Sequence, residues 1–554
     1  MSKTSLRTPC FRPQLAMFIP LLISLLISWW LTGCAALPSD VQRPVTVSIE
    51  NTQDTQLGKA VAARAAAAST RNDSGFALVG SAELAFTSRM TLIKAAEKTL
   101  DLQYYAVHAD STTDRLFDAL REAAARGVRV RILLDDFNTA GKDAQVLKLA
   151  FEKNMEMRLF NPLPSNRSSA LWRIISSLSD AARLQRRMHN KIFVADNAVA
   201  ITGGRNLGDT YFGQSGGVNF VDIDVLAAGR IARDLSRSFD QYWNSPLAYP
   251  VQSLMTAKDI ERLKPAPSAQ TAGLGDVRAD AATSTPSGTL NKTTTPPVVV
   301  AALPDTTDLR LLSWTWAAST MLVDKPSKIA EDADTTEATN DTAVDGLLSL
   351  MSSAKTDLLV VSPYFVPGPE MMRQFAAIRK RGVRVRVLTN SLASNDAVAA
   401  HAGYARYREG LLAMGIEMYE MRAEQRGTVS SFGTGSGSAG GSDGASRASL
   451  HAKAVVLDHR LLVVGSMNLD LRSKLQNSEV AIVIQSRKLA AQATALIEPG
   501  MIQGAYRVEL KDGQLVWRAP QGSGLADATS EPDASAGLKL LVNVIGPFAP
   551  DEML

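Results

Sequence analysis

The chain has 554 residues, 45% of them hydrophobic and 21% charged, which excludes a wholly disordered protein and predicts about two to four folded units. Its two cysteines, Cys10 and Cys34, exclude a disulfide framework and any zinc or iron–sulfur site built on cysteines. The formal net charge of +4 is small for this length and gives no indication of a nucleic-acid partner.

The first element of the chain has the pattern of an export signal. Residues 1–14 contain three basic side chains and no acidic one, residues 15–31 are mostly apolar, and Leu-Thr-Gly-Cys ends at Cys34. This ending resembles a bacterial lipoprotein signal, in which residues 1–33 are removed, leaving a formal charge of +1, and the cysteine is acylated. An uncleaved membrane anchor is the alternative. We expect a lipid-anchored protein of the bacterial cell envelope that faces the periplasm.

Two sequence elements occur twice in the rest of the chain. Arg126–Leu133 returns 255 residues later as Arg381–Leu388, and Met188–Asp196 returns 262 residues later as Leu450–Asp458. In both copies an apolar strand, an amphipathic helix and a strand of alternating Val and Arg follow one another, which predicts a βαβ unit with parallel strands. We therefore predict an α/β fold made of a duplicated domain, with two mixed sheets flanked by helices and the active site between the halves.

Low-complexity segments separate and follow the two copies. The copies are predicted at 75–264 and 308–520, and segments rich in Pro, Ser, Gly, Ala and Thr mark their limits. The remaining segments are a tether at 34–74, a linker at 265–307, a Ser/Gly loop at 425–448 within the second copy, and a C-terminal tail at 521–554.

Each copy of the second element contains a histidine, a lysine two residues later and an aspartate seven residues later. In chain order these are His189, Lys191, Asp196 and His451, Lys453, Asp458. On a strand the histidine and the lysine share a face, whereas the aspartate has the opposite parity. Each aspartate is therefore predicted at a hairpin corner, as a turn residue rather than a proton carrier.

A two-residue turn at each corner would bring small and amide side chains beside the histidines. By this pairing Gly204 lies opposite His189 and Ser466 lies opposite His451, and the next residues along are Asn206 and Asn468. Two imidazoles, two ammonium groups and two amides in one pocket suit a phosphodiester, because they supply a nucleophile, a proton donor and fixed positive charge. This chemistry predicts no metal and no cofactor.

The paired elements resemble the twin HKD motifs of the phospholipase D superfamily. Further sequence runs resemble its cardiolipin synthase C-type branch, namely Asp101–Tyr105, Gly203–Phe212, Ser362–Gly368 and Ser394–Asp396. The resemblance covers most of residues 75–250 and 310–500, and it implies a duplicated phospholipase D-type domain.

The resemblance also implies a role for each residue of the predicted site. His189 would be the nucleophile that forms a phosphohistidine, and His451 would be the general acid and base. The remaining roles are Lys191, Lys453, Asn206, Asn468, Gly204 and Ser466 around the phosphoryl oxygens, Asp196 and Asp458 completing the catalytic motifs, and Glu479 with Asp222 or Asp224 orienting the two imidazoles.

The activity implied by the resemblance is a phosphatidyl transfer that makes cardiolipin. Phosphatidylglycerol would be the acceptor, a second phosphatidylglycerol or phosphatidylethanolamine the donor, and the membrane-associated enzyme would act as a monomer. One alternative keeps the pocket and uses water, as a hydrolytic phospholipase D or a nuclease, although 6% aromatic residues and the small charge disfavour nucleic acid. The other is a non-catalytic envelope lipoprotein, which the intact motifs in both copies disfavour.

Overall fold

The computed structural model describes residues 37–68, 70, 72–139, 141–163, 181–255, 259, 303–330, 341–426, 445–546 and 551. The predicted signal with Cys34, most of the predicted linker and residues 427–444 of the Ser/Gly loop lie outside these residues. Within them, no helix is long and apolar enough to cross a membrane.

The first half consists of strands connected by amphipathic helices. The strands are β1 (Ser74–Val79), β2 (Thr99–Tyr104), β3 (Arg129–Asp135), β4 (Met155–Phe160), β5 (Ile192–Ala195), β6 (Val199–Gly203), β7 (Val218–Val221), β8 (Asp224–Gly229) and β9 (Ala248–Pro250). The helices are α1 (Gln56–Ala67), α2 (Ala82–Ala95), α3 (Ser111–Ala125), α4 (Ala181–Gln185) and α5 (Arg230–Trp243). Helix α3 begins after Asp110, whose carboxylate accepts a hydrogen bond from the Thr113 backbone in a capping box.

The second half repeats this pattern. Its strands are β10 (Thr315–Trp316), β11 (Ala318–Val323), β12 (Asp357–Val361), β13 (Arg384–Asn390), β14 (Glu417–Met421), β15 (Glu424–Arg426), β16 (Ala445–Leu450), β17 (Ala454–Leu457), β18 (Leu461–Gly465), β19 (Val480–Gln485), β20 (Ala505–Lys511) and β21 (Gln514–Arg518). Its helices are α6 (Ala343–Ser352), α7 (Gly368–Lys380), α8 (Val398–Ala413), α9 (Leu471–Leu475), α10 (Arg487–Gly504) and α11 (Ala536–Ile545).

Two large mixed sheets have corresponding strand orders. The first is β10-β1-β8-β6-β5-β2-β3-β4-β9 and the second is β11-β19-β18-β17-β12-β13-β14-β20-β21. Strands β2, β3 and β4 are parallel to one another, as are β12, β13 and β14. The predictions of parallel βαβ units and of a duplicated α/β fold with two mixed sheets are therefore confirmed.

The two halves share one hydrophobic cluster and exchange strands. Buried side chains of β5 and α5 pack with those of β17, β19 and α10 in this cluster. Strand β10 of the second half pairs with β1, and β7 of the first half pairs with β16. Because β16 leads directly into His451, this exchange brings the first half against the second histidine.

Both His-x-Lys hairpins turn through three residues and not through the predicted two. The pairs that close the turns are Ala195 with Val199 and Leu457 with Leu461. Residues 196–197 and 458–459 have φ of 50° to 52°, a left-handed conformation that Asp and Asn tolerate. The third turn residue moves the pairing by one position. The prediction that Gly204 and Ser466 lie directly opposite their histidines was therefore wrong.

The segments predicted as an N-terminal tether and a C-terminal tail pack on the folded halves. The Thr46 carbonyl oxygen accepts a hydrogen bond from buried Arg131, and the Thr46 hydroxyl accepts one from Trp243. At the other end, Arg408 donates to Glu531 at 2.7 Å, and α11 packs against α8. Composition did not reveal this packing because buried arginines supply the binding partners from distant parts of the chain.

Candidate active site

The backbone before each histidine is held by the opposite half of the chain. The His189 N–H donates to the Ser478 carbonyl at 2.9 Å, and the His451 N–H donates to the Val221 carbonyl at 2.8 Å. Each histidine stands at the start of its hairpin, where the strand of its own half meets a segment of the other half. The two histidines therefore lie where the halves of the molecule meet.

A carboxylate from the opposite half binds Nδ1 of each imidazole. Both Glu479 oxygens lie 3.0 Å from His189 Nδ1, and Asp222 Oδ2 lies 2.7 Å from His451 Nδ1. Both carboxylates are essentially inaccessible to solvent. A carboxylate at Nδ1 favours the tautomer that carries its proton there, which leaves Nε2 with a free lone pair.

Asp222 binds the second histidine, whereas Asp224, the other residue predicted for this role, does not. The Asp224 carboxylate accepts a hydrogen bond from Arg89 at 3.0 Å and forms an ion pair with Arg205 at 3.4 Å. The two aspartates stand on either side of Ile223, where β8 begins, and their carboxylates have different partners. Of the two residues predicted to orient the His451 imidazole, Asp222 does so and the prediction for Asp224 was wrong.

The residues Gly204 and Ser466, predicted beside the phosphate, contact the carboxylates. Ser466 Oγ donates to Glu479 Oε2 at 2.5 Å, and Ser473 Oγ donates to the other oxygen at 2.9 Å. A Cβ on Gly204 would lie 2.2 Å from Asp222 Oδ1, so that only glycine leaves room for this carboxylate. Both residues therefore support the groups that hold the imidazoles.

The two motif lysines form a buried cationic pair. Lys191 Nζ donates to the His189 carbonyl at 2.9 Å, and Lys453 Nζ donates to the His451 carbonyl at 2.5 Å. Burial, together with repulsion from Lys453, lowers the pKa of Lys191 to about 7, and burial lowers the pKa of Lys453 to about 8. A bound anion would stabilise both charges. Among the described residues no group of three or more His, Cys, Asp or Glu side chains is arranged to hold a metal ion.

The surroundings lower the pKa of both histidines. Burial lowers the pKa of His189 to about 4, despite the opposing charge of Glu479. Burial and the charge of Lys453 also lower the pKa of His451. Burial acts to raise the pKa of Asp222, but the hydrogen bond and charge of His451 outweigh it and leave that pKa below its ordinary value. Each imidazole thus has a lowered pKa and lies beside a carboxylate whose pKa is also lowered.

The two asparagines have different surroundings. Asn206 Oδ1 accepts a hydrogen bond from the Ala106 backbone at 3.2 Å, and its Nδ2 donates to the Tyr211 hydroxyl at 3.0 Å. Asn468 is also buried, but within the described residues its Oδ1 has no hydrogen-bond partner. The side chain of Asn468 is therefore the less constrained of the two amides.

Aromatic rings line the site, and sequence reasoning gave them no role. The Tyr105 ring centre lies 5.1 Å from that of His189, and Tyr211 and Phe220 lie 5.3 and 5.0 Å from that of His451. The runs that resemble the cardiolipin synthase branch contain both tyrosines, and this was the available signal. The rings restrict the motion of the imidazoles and exclude water from them.

Sequence reasoning also missed a symmetric pair of polar residues that hold the residue before each histidine. Asp135 Oδ2 accepts the Met188 N–H at 2.8 Å, and Asn390 Oδ1 accepts the Leu450 N–H at 2.8 Å. Asp135 and Asn390 end strands β3 and β13 at equivalent positions of the 255-residue repeat. The repeat was the signal that could have identified them, since each closes one copy of the Val-Arg strand.

The motif aspartates lie at the far ends of the hairpins and bind backbone amides. Asp196 accepts hydrogen bonds from the backbone N–H groups of Glu97, Lys98 and Thr99 at 2.8 to 3.0 Å. Asp458 accepts the equivalent bonds from residues 355–357. This placement agrees with the parity argument for turn residues, and it separates both aspartates from the imidazoles by the length of a strand.

Replacement of Asp196 by alanine should therefore destabilise the fold and leave the chemistry intact. We expect Asp196→Ala to lower the free energy of unfolding by about 2–4 kcal/mol, because three backbone amides, that of buried Thr99 among them, lose their acceptor and alanine disfavours φ of 50°. Chemical denaturation measures this change. Asp196→Asn is the matched control, since it keeps one acceptor oxygen and tolerates the turn. A drop in kcat without a loss of stability would contradict the structural role.

Comparisons with known proteins show similarity along most of the chain. Residues 90–243 and 347–499 match the family described as "Cardiolipin synthase, PLD-like domain". Cardiolipin synthase C of Escherichia coli (strain K12) is 37% identical over 428 residues, covering 76% of this chain and 83% of that protein. A protein of Helicobacter pylori (strain ATCC 700392 / 26695) with the description "Uncharacterized protein" is 31% identical over 473 residues, covering 82% of this chain and 85% of that protein.

A solved structure has the same fold at low sequence identity. The crystal structure of phosphatidylserine synthase from Haemophilus influenzae Rd KW20 superposes with a TM-score of 0.50 and 14% identity, covering 78% of this chain and 87% of that one. The two matched family segments fall on the two halves described above, so that both halves have the same domain type.

Proposed function

The chain belongs to the cardiolipin synthase family with phospholipase D-like domains, and on this premise we propose that it is a phosphatidyltransferase that makes cardiolipin. The acceptor is the glycerol hydroxyl of phosphatidylglycerol, and the donor is phosphatidylethanolamine or a second phosphatidylglycerol. The observation that carries this proposal is the pair of carboxylate-bound imidazoles beside two buried lysines.

In the first step, His189 Nε2 attacks the phosphorus of the donor lipid. The N–P bond forms while the P–O bond to the head group breaks, and His451 gives its proton to the departing oxygen. The negative charge of the bound phosphodiester favours the protonated form of His451. His189 keeps its lone pair because its pKa of about 4 leaves it neutral at physiological pH.

In the second step, the acceptor hydroxyl gives its proton to the now neutral His451. Its oxygen attacks phosphorus, the O–P bond forms, and the N–P bond to His189 breaks. Lys191, Lys453 and Asn468 hold the phosphoryl oxygens and stabilise the charge that develops on them. Asn206 acts with them through its contact with Tyr211.

We propose that one chain is sufficient for activity. Glu479 and Asp222 each bind a histidine of the other half, so that both halves of the site come from the same molecule. With domain bounds at 75–264 and 308–520, each copy contains one of these two carboxylates and one of the two histidines. The linker at 265–307 then only connects the copies.

We propose that acylated Cys34 anchors the enzyme to a membrane of the cell envelope, facing the periplasm. Both lipid substrates lie in a bilayer, and an anchor keeps the site close to them. We expect Cys34→Ser to abolish lipid labelling and to leave the precursor unprocessed, which labelling with a radioactive fatty acid and gel mobility would detect. Cys10→Ser is the matched control and should be processed normally. Normal labelling of Cys34→Ser would contradict the anchor.

The pH dependence of kcat/KM should report the buried lysines. The ordinary lysine pKa is 10.5, whereas those of Lys191 and Lys453 are lowered to about 7 and 8, so their charges are lost as the pH rises through this range. We expect kcat/KM to fall above pH 7–8, in assays with phosphatidylglycerol in mixed micelles. Lys191→Arg should move this alkaline limb upward, since arginine stays charged. If kcat/KM of the wild type fell only near pH 10, as expected for lysines with an ordinary pKa, this expectation would be contradicted.

The proposed activity can be tested in a bacterium that lacks its own cardiolipin synthases. Expression of the wild-type chain should restore cardiolipin, measured by mass spectrometry of membrane lipids. Accumulation of phosphatidic acid without cardiolipin would indicate that water is the acceptor. No lipid change with a correctly expressed chain would refute both lipid activities.

A further inference from the structure

A tyrosine–carboxylate pair lies on two loops beside the second half of the site and has no part in the chemistry described above. The Tyr364 hydroxyl donates a hydrogen bond to Asp396 Oδ1 at 2.8 Å. Tyr364 follows β12, and Asp396 precedes α8, so that two separate loops form the pair. Tyr364 is half-buried, whereas Asp396 is exposed to solvent.

Hydrogen bonds of Asn390 place both loops beside the second histidine. Its Nδ2 donates to the Pro363 carbonyl, next to Tyr364, at 3.4 Å and to the Leu450 carbonyl, next to His451, at 2.9 Å, and its Oδ1 accepts from Ser394, two residues before Asp396, at 3.0 Å. The charge of Asp396 opposes the effect of burial on the pKa of Lys453. Burial raises the pKa of Tyr211, and the same carboxylate raises it further. Burial, Asp396, Tyr211 and Tyr105 all raise the pKa of Tyr364. The charge of Asp396 therefore acts on Lys453 and on tyrosines of both halves.

The Asp396 carboxylate keeps hydrogen-bonding capacity that the other carboxylates of the site have used. Glu479 has both oxygens bound by serines and His189, and Asp224 is paired with two arginines. Within the part of the chain that the structure describes, Asp396 forms no ion pair, and its hydrogen-bond partner is the Tyr364 hydroxyl. Its Oδ1 accepts one hydrogen bond from a neutral hydroxyl, and among the described residues its Oδ2 has no hydrogen-bond partner.

The charge of Asp396 identifies the part of the substrate that it contacts. A carboxylate repels a phosphate group and accepts hydrogen bonds without donating any. The phosphoryl group is held by the lysines, so the ligand of Asp396 must lie on the alcohol side of the phosphorus. Aromatic rings beside a carboxylate also suit an ammonium group or the carbon frame of a polyol.

We propose that Asp396, held in place by Tyr364, binds the non-reacting hydrogen-bond donors of the alcohol head group and so favours these alcohols over water as acceptors. This inference rests on the proposed transferase function. The donors are the hydroxyls of glycerol or the ammonium of ethanolamine, which share the same chemistry. In the second step the reacting hydroxyl still gives its proton to His451, and Asp396 takes no proton.

The test compares acceptors with the full-length enzyme on vesicles of dioleoyl phosphatidylglycerol. Labelled glycerol, ethanolamine and ethanol compete with water, and the measured quantity is the ratio of alcohol product to phosphatidic acid. Asp396→Asn keeps the shape of the side chain and removes its charge. Asp512→Asn, in the distant β20–β21 turn, is the matched control. Tyr364→Phe removes only the hydroxyl that orients the carboxylate.

Asp396→Asn should lower the product ratio about tenfold for glycerol or ethanolamine, the order expected for loss of a charge-assisted hydrogen bond. Ethanol has no second donor, and its ratio should stay unchanged. A larger effect with glycerol identifies the polyol as ligand, and a larger effect with ethanolamine identifies the ammonium. Tyr364→Phe should change the ratio in the same direction by a smaller factor.

Two results would overturn the inference while leaving the proposed function intact. The first is an equal fall of the ratio with all three alcohols, ethanol included, which would mean that Asp396 favours alcohols in general and does not bind a second donor of the head group. The second is an unchanged ratio in Asp396→Asn with active enzyme. A wild-type enzyme that forms only phosphatidic acid with every alcohol would instead refute the transferase function.

Discussion

His189→Ala is expected to abolish the covalent intermediate and to lower phosphatidyl transfer by about 10⁴-fold or more, because the attacking nitrogen is lost. His451→Ala should lower steady-state transfer by about 10²–10⁴-fold for a different reason, since the departing and incoming alcohols lose their proton carrier. A donor lipid with p-nitrophenol as head group separates the two effects. This leaving group needs no proton, so that the first step no longer depends on His451.

With this donor, His451→Ala should release about one equivalent of p-nitrophenolate per enzyme in a burst and then turn over slowly. His189→Ala should give no burst. Rapid-mixing absorbance measures both, and His459→Asn is the matched control, because this histidine is exposed in the hairpin turn and Asn tolerates its φ of 52°. A burst in His189→Ala and none in His451→Ala would reverse the assigned roles. No burst in either folded variant would contradict a covalent mechanism.

The features that the sequence predicted correctly depend on local or repeated patterns. Alternation along a strand places His189 beside Lys191, and the repeat predicts the same arrangement in the second half. The duplication also predicts two sheets with equivalent strand orders. These inferences need only the periodicity of a strand and the comparison of one part of the chain with another.

The remaining features depend on contacts between distant residues. Turn length decided the register of the hairpins, and one additional residue in the turn moved Gly204 and Ser466 beside the carboxylates. Spacing could not distinguish Asp222 from Asp224, because the choice depends on Arg89 in a distant helix. The approach of Tyr364 to Asp396 joins two loops whose relative position follows from packing alone.

Glu479→Gln and Asp222→Asn should each lower kcat by about 10²–10⁴-fold and should slow different steps. An amide at Nδ1 can donate a hydrogen bond where the carboxylate only accepts one. The proton of the neutral imidazole then moves to Nε2, which must be free in His189 for attack. Glu479→Gln should therefore slow the p-nitrophenolate burst. Asp222→Asn should leave the burst and slow the turnover that follows, because its partner is His451.

Each effect can be assigned to a step because each carboxylate binds the histidine of the other half. Glu479 lies in the second half and binds the histidine of the first, so a variant of the second half impairs the step that the first half performs. Glu509→Gln, an isosteric change in the same half on strand β20, is the control and should behave as wild type. Thermal unfolding verifies that each variant is folded. If Glu479→Gln slowed only the turnover after a normal burst, Glu479 would serve the second step, and His189 would not be the nucleophile.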